Sequence, residues 1–209
     1  MCMRTPAAIL LALIASSLRA GSPPEKNDRA GMVSIGGRSS ISLFNGTDSN
    51  SPGTGAGGQL RIRLADRVNT DWFYDFFRGP IGDYGHRQDQ HIGWSVLFYL
   101  RDPGTTRQTV QPYILAGHCF DYTMQQANND PHNFAERWSS AAQAGIGTHF
   151  NLTDRMDISL VGQYMIHLGS DVHAEQEDGE VEFHKERGSS LEGHLLFHLS
   201  FNYKLFHVW

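Results

Sequence analysis

The chain has 209 residues, with 17 Lys+Arg against 22 Asp+Glu and a formal net charge of -5, so it lacks the basic footprint a nucleic-acid binder carries. Mean hydropathy is -0.38, and beyond the first segment no apolar run approaches the roughly 20 residues of a spanning helix. A helical membrane protein is thereby excluded. The 22 Gly, 12 Phe, 7 Tyr and 4 Trp suit strands and turns, while the two Cys, Cys2 and Cys119, provide no disulfide framework.

Residues 1–20 read as a secretory signal peptide: Arg4 gives a positive start, Pro6 to Leu18 an apolar core, and Ala20-Gly21 a small-residue cleavage point. Residues 21–30 form a short polar segment, expected on the periplasmic side. From Gly31 to Trp209 the apolar pattern has period two, the mark of strands with one apolar face.

Eight segments follow. The first, 32–44, sets Val33, Ile35, Ile41 and Leu43 against Ser34, Arg38, Ser40 and Ser42. The second, 57–65, sets Leu60, Ile62 and Leu64 against Gln59, Arg61 and Arg63. The third, 70–78, sets Trp72, Tyr74 and Phe76 against Phe73, Asp75 and Phe77. In the fourth, 90–101, Ile92, Trp94, Val96, Phe98 and Leu100 oppose His91, Gly93, Ser95 and Tyr99. The fifth, 110–121, has no settled phase, because Tyr113 and Leu115 compete with Ile114 and Ala116. The sixth, 137–150, opposes Ala142, Ala144, Ile146 and Phe150 to Gln143, Gly145, Gly147 and His149. The seventh, 155–168, opposes Met156, Ile158, Leu160, Tyr164 and Ile166 to Asp157, Ser159, Gln163 and His167. In the eighth, 190–209, Leu191, Leu195, Phe197, Leu199, Phe201, Tyr203 and Leu205 oppose Glu192, His194, His198, Ser200, Asn202 and Lys204.

The links at 66–69 and 151–154 are tight, and the one at 102–108 turns on Pro103-Gly104. Those at 45–56, 79–89, 122–136 and 169–188 are longer and polar. Such alternation arises when all long loops leave one end of an up-and-down barrel. The fold expected is all-β: an eight-stranded antiparallel up-and-down transmembrane β-barrel with four external loops. A soluble lipocalin-like barrel would turn its apolar face inward around a ligand. Both charge signs on the polar face favour the opposite arrangement, because a small lumen can pair Arg38, Arg61, Arg63, Asp75, Asp157, Glu192 and Lys204 where lipid could not.

The closing run Phe201-Asn202-Tyr203-Lys204-Leu205-Phe206-His207-Val208-Trp209 resembles the C-terminal assembly signal of bacterial outer-membrane barrels, through Phe201, Tyr203, Leu205 and Trp209. The tracts 144–154, 156–160 and Pro112-Tyr113-Ile114-Leu115-Ala116-Gly117 resemble strand–turn–strand phrases of the small OmpA/OmpX-like superfamily. The resemblance implies an outer-membrane location, contact with lipid and lipopolysaccharide, and insertion by the barrel assembly machinery.

Chemistry is not expected. His149, His167, His194 and His198 fall on the inner face, but in no recognised metal-ligand spacing, so neither a metal nor a cofactor is anticipated. His198-Leu199-Ser200 with Glu192 has the spacing of a lipid A deacylase pair, yet Phe201 stands where Asn would follow the serine and the face points inward. The role expected is therefore non-enzymatic: a barrel with a side-chain-filled lumen, not an open pore, acting through surface contacts at 122–136 and 169–188. The acids of 169–188 lack the ordered spacing of a calcium loop, and Val181-Glu182-Phe183-His184 alternates as if extending a hairpin.

Overall fold

The computed structural model describes residues 30–44, 52–101, 109–168, 172–177, 180–185 and 193–209. The leader 1–20, nearly all of 21–30, the Pro103-Gly104 turn and Glu192 lie outside these residues. Strands β1 (Met32–Phe44), β2 (Gly53–Ala65), β3 (Val68–Ile81), β4 (Gly85–Tyr99), β5 (Val110–Ala127), β6 (Phe134–Asn151) and β7 (Met156–Leu168) run in sequence order around a barrel. Strands β8 (Val172–Glu177) and β9 (Glu180–Lys185) form a separate hairpin, and β10 (Gly193–His207) completes the circle. Each pairing is antiparallel, and β10 pairs with β1 to close the sheet, so no edge remains.

Period-two alternation reappears as inside and outside. Arg38, Gln59, Arg61, Asp75, His91, Gln143, Asp157, Ser159 and Asn202 are buried in the lumen. Ile41, Leu60, Trp72, Ile92, Trp94, Ile114, Ile146, Leu160, Phe197 and Phe201 form a belt exposed on the outer wall. This is the reverse of a ligand-binding lipocalin. The fifth strand resolves with Gln111, Tyr113, Leu115, Cys119 and Asp121 inward and Ile114, Ala116 and Phe120 outward. Among the described residues no helix is long and apolar enough to cross a membrane; a barrel of this architecture crosses with strands.

Three expectations need correction. The stretches 79–89 and 122–136 are mostly strand: β3 and β4 continue until only 82–84 turns, and β5 and β6 until only 128–133 does. Strands β5 and β6 have 18 residues each, where a tilted membrane strand needs about 9–11. They therefore rise beyond the belt, and the outer face turns polar at Gln90, Gln126 and Glu136. The transition carries aromatics with polar tips. Tyr74 donates to Gln90 (3.1 Å), Tyr122 to Glu136 (2.6 Å), and the Tyr122 ring lies 5.0 Å from that of Trp138. Second, β2 begins at Gly53 rather than at 57. Third, the register shifts where Val33 pairs with Phe206 and Ser34 with Lys204, leaving Leu205 as an extra residue. The bulge reverses the phase beyond it: Val33 is buried, and Phe206 rather than Leu205 is exposed on the outer wall.

The β8–β9 hairpin does not extend the barrel wall. It leans on β5 and β6 across the mouth at the long-loop end, and its Phe183 is buried with Ile81 and Ala127, beside Tyr84 and Ala135. The Phe183 amide donates to Asn133 Oδ1 at 3.2 Å. Phe183→Ala should release the hairpin alone: proteolysis within 169–192 should accelerate severalfold while the melting temperature of the barrel stays within a few degrees. A large fall in melting temperature would show that the hairpin is instead part of the barrel's cooperative unit.

Candidate functional site

The lumen holds two polar layers. The lower one, toward the short turns, is built on guanidinium–carboxylate pairs. Arg38 NH2 lies 2.7 Å from Asp75 and its NH1 3.6 Å from Asp71, while the guanidinium stacks 4.5 Å above the Phe73 ring. Arg61 pairs with Asp157 at 3.2 Å and Asp71 at 3.7 Å and donates to Ser159 at 2.9 Å. Asn202 Nδ2 donates to the same Asp157 oxygen at 2.9 Å. Four of the expected charges thus meet through Asp71, which the sequence reading does not include.

The other expected members sit apart. Arg63 donates to the carbonyls of Ala65 and Asp66 and covers the Tyr99 ring at 4.7 Å. Lys204 donates to Asn151 at 3.1 Å, and Glu192 lies outside the described residues. Around Arg63 the short-turn end is sealed: Asn69 donates to Tyr99 Oη (2.9 Å), which meets His149 Nε2 at 3.1 Å, and the Tyr113 ring packs 4.5 Å from that imidazole. Gly147 makes room for this stack, because a Cβ there would meet the Tyr113 ring at 2.5–2.7 Å. Gly147→Val should therefore destabilise by about 1–3 kcal/mol through overpacking, read as a lower urea midpoint in lipid vesicles.

The upper layer is largely absent from the sequence reading. Arg87 Nε lies 3.0 and 2.9 Å from the two oxygens of Asp89, and Thr123 donates to Asp89 at 2.6 Å. Asp121 stands between two imidazoles, with His91 Nε2 and His167 Nδ1 each 3.0 Å from a carboxylate oxygen. Its second oxygen is 3.8 Å from Arg137 NH2. An apolar layer of Phe73, Phe77, Cys119, Ala141, Met165 and Leu196 packs the same region.

The four inner-face histidines divide among three places. His149 belongs to the tyrosine seal, His198 to Ser40 Oγ at 2.5 Å and to Arg38, and His167 and His194 to each other, Nε2 to Nε2 at 3.3 Å. The His198–Ser200 pair faces the lumen, with exposures of 3% and 4%, away from the apolar outer wall. An internal void beside Arg38, Gln59, Asp71 and His198 measures about 10 Å³, room for about one water.

No protein-family model and no curated protein sequence matches the chain. Solved structures do. Neisserial surface protein A aligns over 82% of this chain and 96% of its own, with a TM-score of 0.57 at 12% identity. OprG, an outer-membrane protein of Pseudomonas aeruginosa, aligns over 85% and 97%, with a TM-score of 0.56 at 15% identity. A major outer-membrane protein of Thermus thermophilus aligns over 82% and 98%, with a TM-score of 0.54 at 9% identity. At these identities the likeness establishes the fold: a closed eight-stranded antiparallel barrel resembling those of outer-membrane proteins.

Proposed function

We propose that the chain is a bacterial outer-membrane barrel whose lumen does not conduct and whose function lies in its external end. Residues 1–20 serve as the export leader, 21–30 remain on the periplasmic side with both ends of the barrel, and 31–209 form the inserted domain. The observation that carries this reading is the packed lumen: among the described residues, buried ion pairs and an apolar layer fill the space between the tyrosine seal and Phe183, and the void beside Arg38 and His198 measures about 10 Å³. Eight strands enclose a space that side chains can fill. In planar bilayers the purified protein should give no stepwise conductance; steady open-channel currents would overturn the reading.

The outer belt supports contact with lipid, and the polar strand extensions above it support contact with lipopolysaccharide and surface ligands. That surface comprises 128–133, the rims of β3 to β6 and the 169–192 region, in place of a full loop at 122–136. For insertion, the outward Phe201 and the terminal Trp209 fit an assembly signal read by the barrel assembly machinery. The bulge at Leu205 makes Phe206 a member of that signal alongside Tyr203. The burial of His198 and Ser200 within the lumen argues against the deacylase reading.

A further inference from the structure

One group of side chains serves neither the arginine pairs nor the tyrosine seal. His167 Nε2 and His194 Nε2 face each other at 3.3 Å, and the Met165 thioether sulfur lies 3.4 Å from His194 Nε2. All three side chains are almost completely buried, at 2%, 1% and 0% exposure. They come from adjacent strands: His194 and Met165 are register partners on β10 and β7, and His167 is two residues further along β7 on the same face.

The outer partners fix which nitrogen is available. Asp121 Oδ2 lies 3.0 Å from His167 Nδ1, so the ring's proton belongs on Nδ1 and the lone pair of Nε2 points into the gap. A carboxylate that orients an imidazole in this way is the usual support of a metal-bound histidine. His194 Nδ1 has Ser42 Oγ at 3.2 Å. The hydroxyl can either donate to that nitrogen or accept from it. With Nδ1 protonated toward Ser42, His194 Nε2 also turns a lone pair into the gap; the ring changes tautomer and loses no proton overall.

We propose that His167 Nε2, His194 Nε2 and Met165 Sδ form a binding site for monovalent copper within the upper lumen. Two nitrogen ligands each about 2.05 Å from a shared ion stand about 3.3 Å apart at the tetrahedral angle and about 3.55 Å apart in a trigonal three-donor arrangement, so the rings at 3.3 Å need to part by only a few tenths of an ångström. Imidazole and thioether donors without an anionic ligand suit a soft monovalent ion. The added single positive charge sits beside Asp121, and the packed Phe77, Leu196 and Ala141 keep water from the site.

The neighbouring Asp89, His91 and Asp121, whose ligand atoms lie within 4.8 Å of one another, form a competing harder site. Its carboxylates are already engaged by Arg87, Thr123 and His167, which favours the softer set. Cys119 Sγ donates toward Met165 Sδ at 3.6 Å, so it lines the sulfur without being one of the three donors.

The test folds the protein in detergent under anaerobic conditions with cuprous ion, then challenges it with bicinchoninate. Heat-dependent migration on gels confirms that each variant is folded. One equivalent of Cu(I) should be retained, with a copper–sulfur shell in X-ray absorption. Met165→Leu should abolish that shell, and Met165→Leu and His194→Gln should each weaken retention at least tenfold. Cys119→Ser should retain copper. Asp121→Asn should weaken binding by about 10–100-fold. No retained copper in the folded protein would overturn the proposal, as would undiminished retention in Met165→Leu and His194→Gln. Loss of copper in Cys119→Ser would refute this donor set. Zn(II) binding that is preferred to Cu(I) and lost in Asp89→Asn would assign the metal to the carboxylate trio instead.

Discussion

Arg61→Met should lower the stability of the folded barrel by about 3–5 kcal/mol, the usual cost of removing one partner from a buried ion pair. Arg61 holds Asp157 at 3.2 Å, Asp71 at 3.7 Å and Ser159 at 2.9 Å from a side chain only 3% exposed. Methionine approximates the aliphatic stem but leaves two carboxylates facing one another in a dry lumen. Asn202 and His149 remain near Asp157, and Arg38 near Asp71, at 2.9, 3.8 and 3.6 Å respectively; these neighbours are too few to replace the lost charge. Adding Asp157→Leu to Arg61→Met should recover part of the loss, because a buried pair replaced by apolar groups is often tolerated. The urea midpoint of vesicle-inserted protein measures both effects. If Arg61→Met unfolds at the wild-type midpoint, the lumen pairs are not what holds the barrel together.

Two adjacent glycines should respond in opposite ways. Gly57 faces the lumen opposite Asp75 in the register, and a Cβ there would meet the Asp75 carboxylate and the Tyr74 carbonyl. Gly57→Val should displace Asp75 from Arg38, its partner at 2.7 Å. Overpacking of about 1–3 kcal/mol would add to the disrupted pair, so the effect should equal or exceed that of Arg61→Met. Gly58 points outward, and a Cβ there has nothing nearer than the Gly36 carbonyl at 3.8 Å. Gly58→Val should be neutral or stabilising, because it adds β propensity and apolar surface to the belt. Heat-modifiable migration separates the pair: a weak or absent folded band for Gly57→Val beside a normal band for Gly58→Val. Equal behaviour would mean that the two faces of β2 are not inside and outside.

The faces of seven strands are legible in the sequence because one side of each lines a largely polar lumen and the other builds the apolar outer wall. The phase of β5 is not, for a physical reason: opposite Leu97 and Tyr99 the lumen is itself apolar, so Tyr113 and Leu115 point inward while Ile114 and Ala116 point outward. The strand extensions fail in the complementary way. From Arg87 to His91 polar residues occupy both faces, and from Tyr122 to Ala127 each face mixes polar and apolar residues, with Thr123, Gln125 and Ala127 inward and Tyr122, Met124 and Gln126 outward; a pattern without contrast reads as a loop. That also conceals the upper layer, since Arg87, Asp89 and Thr123 fall in stretches that read as links. Asp71 escapes notice because it begins a short segment beside Asn69 and Thr70, where a turn is the simpler reading. The Leu205 bulge leaves one mark in period-two counting: His207 falls where the alternation of Phe201, Tyr203 and Leu205 calls for an apolar residue.

The seam between β1 and β10 has a consequence for the order of events in biogenesis. Arg38 meets His198 across 160 positions of the chain, and β1 has no partner on one side until the last strand is made. Structures dominated by such distant contacts form slowly, because the loop entropy must be met before the contacts reward it. During that interval Arg38 lacks His198, Asp157 lacks Asn202 and the first strand offers a bare edge. The nascent chain therefore depends on being held apart from its neighbours until its final residues arrive, and a truncation at the C-terminus would leave an open, aggregation-prone sheet rather than a smaller barrel.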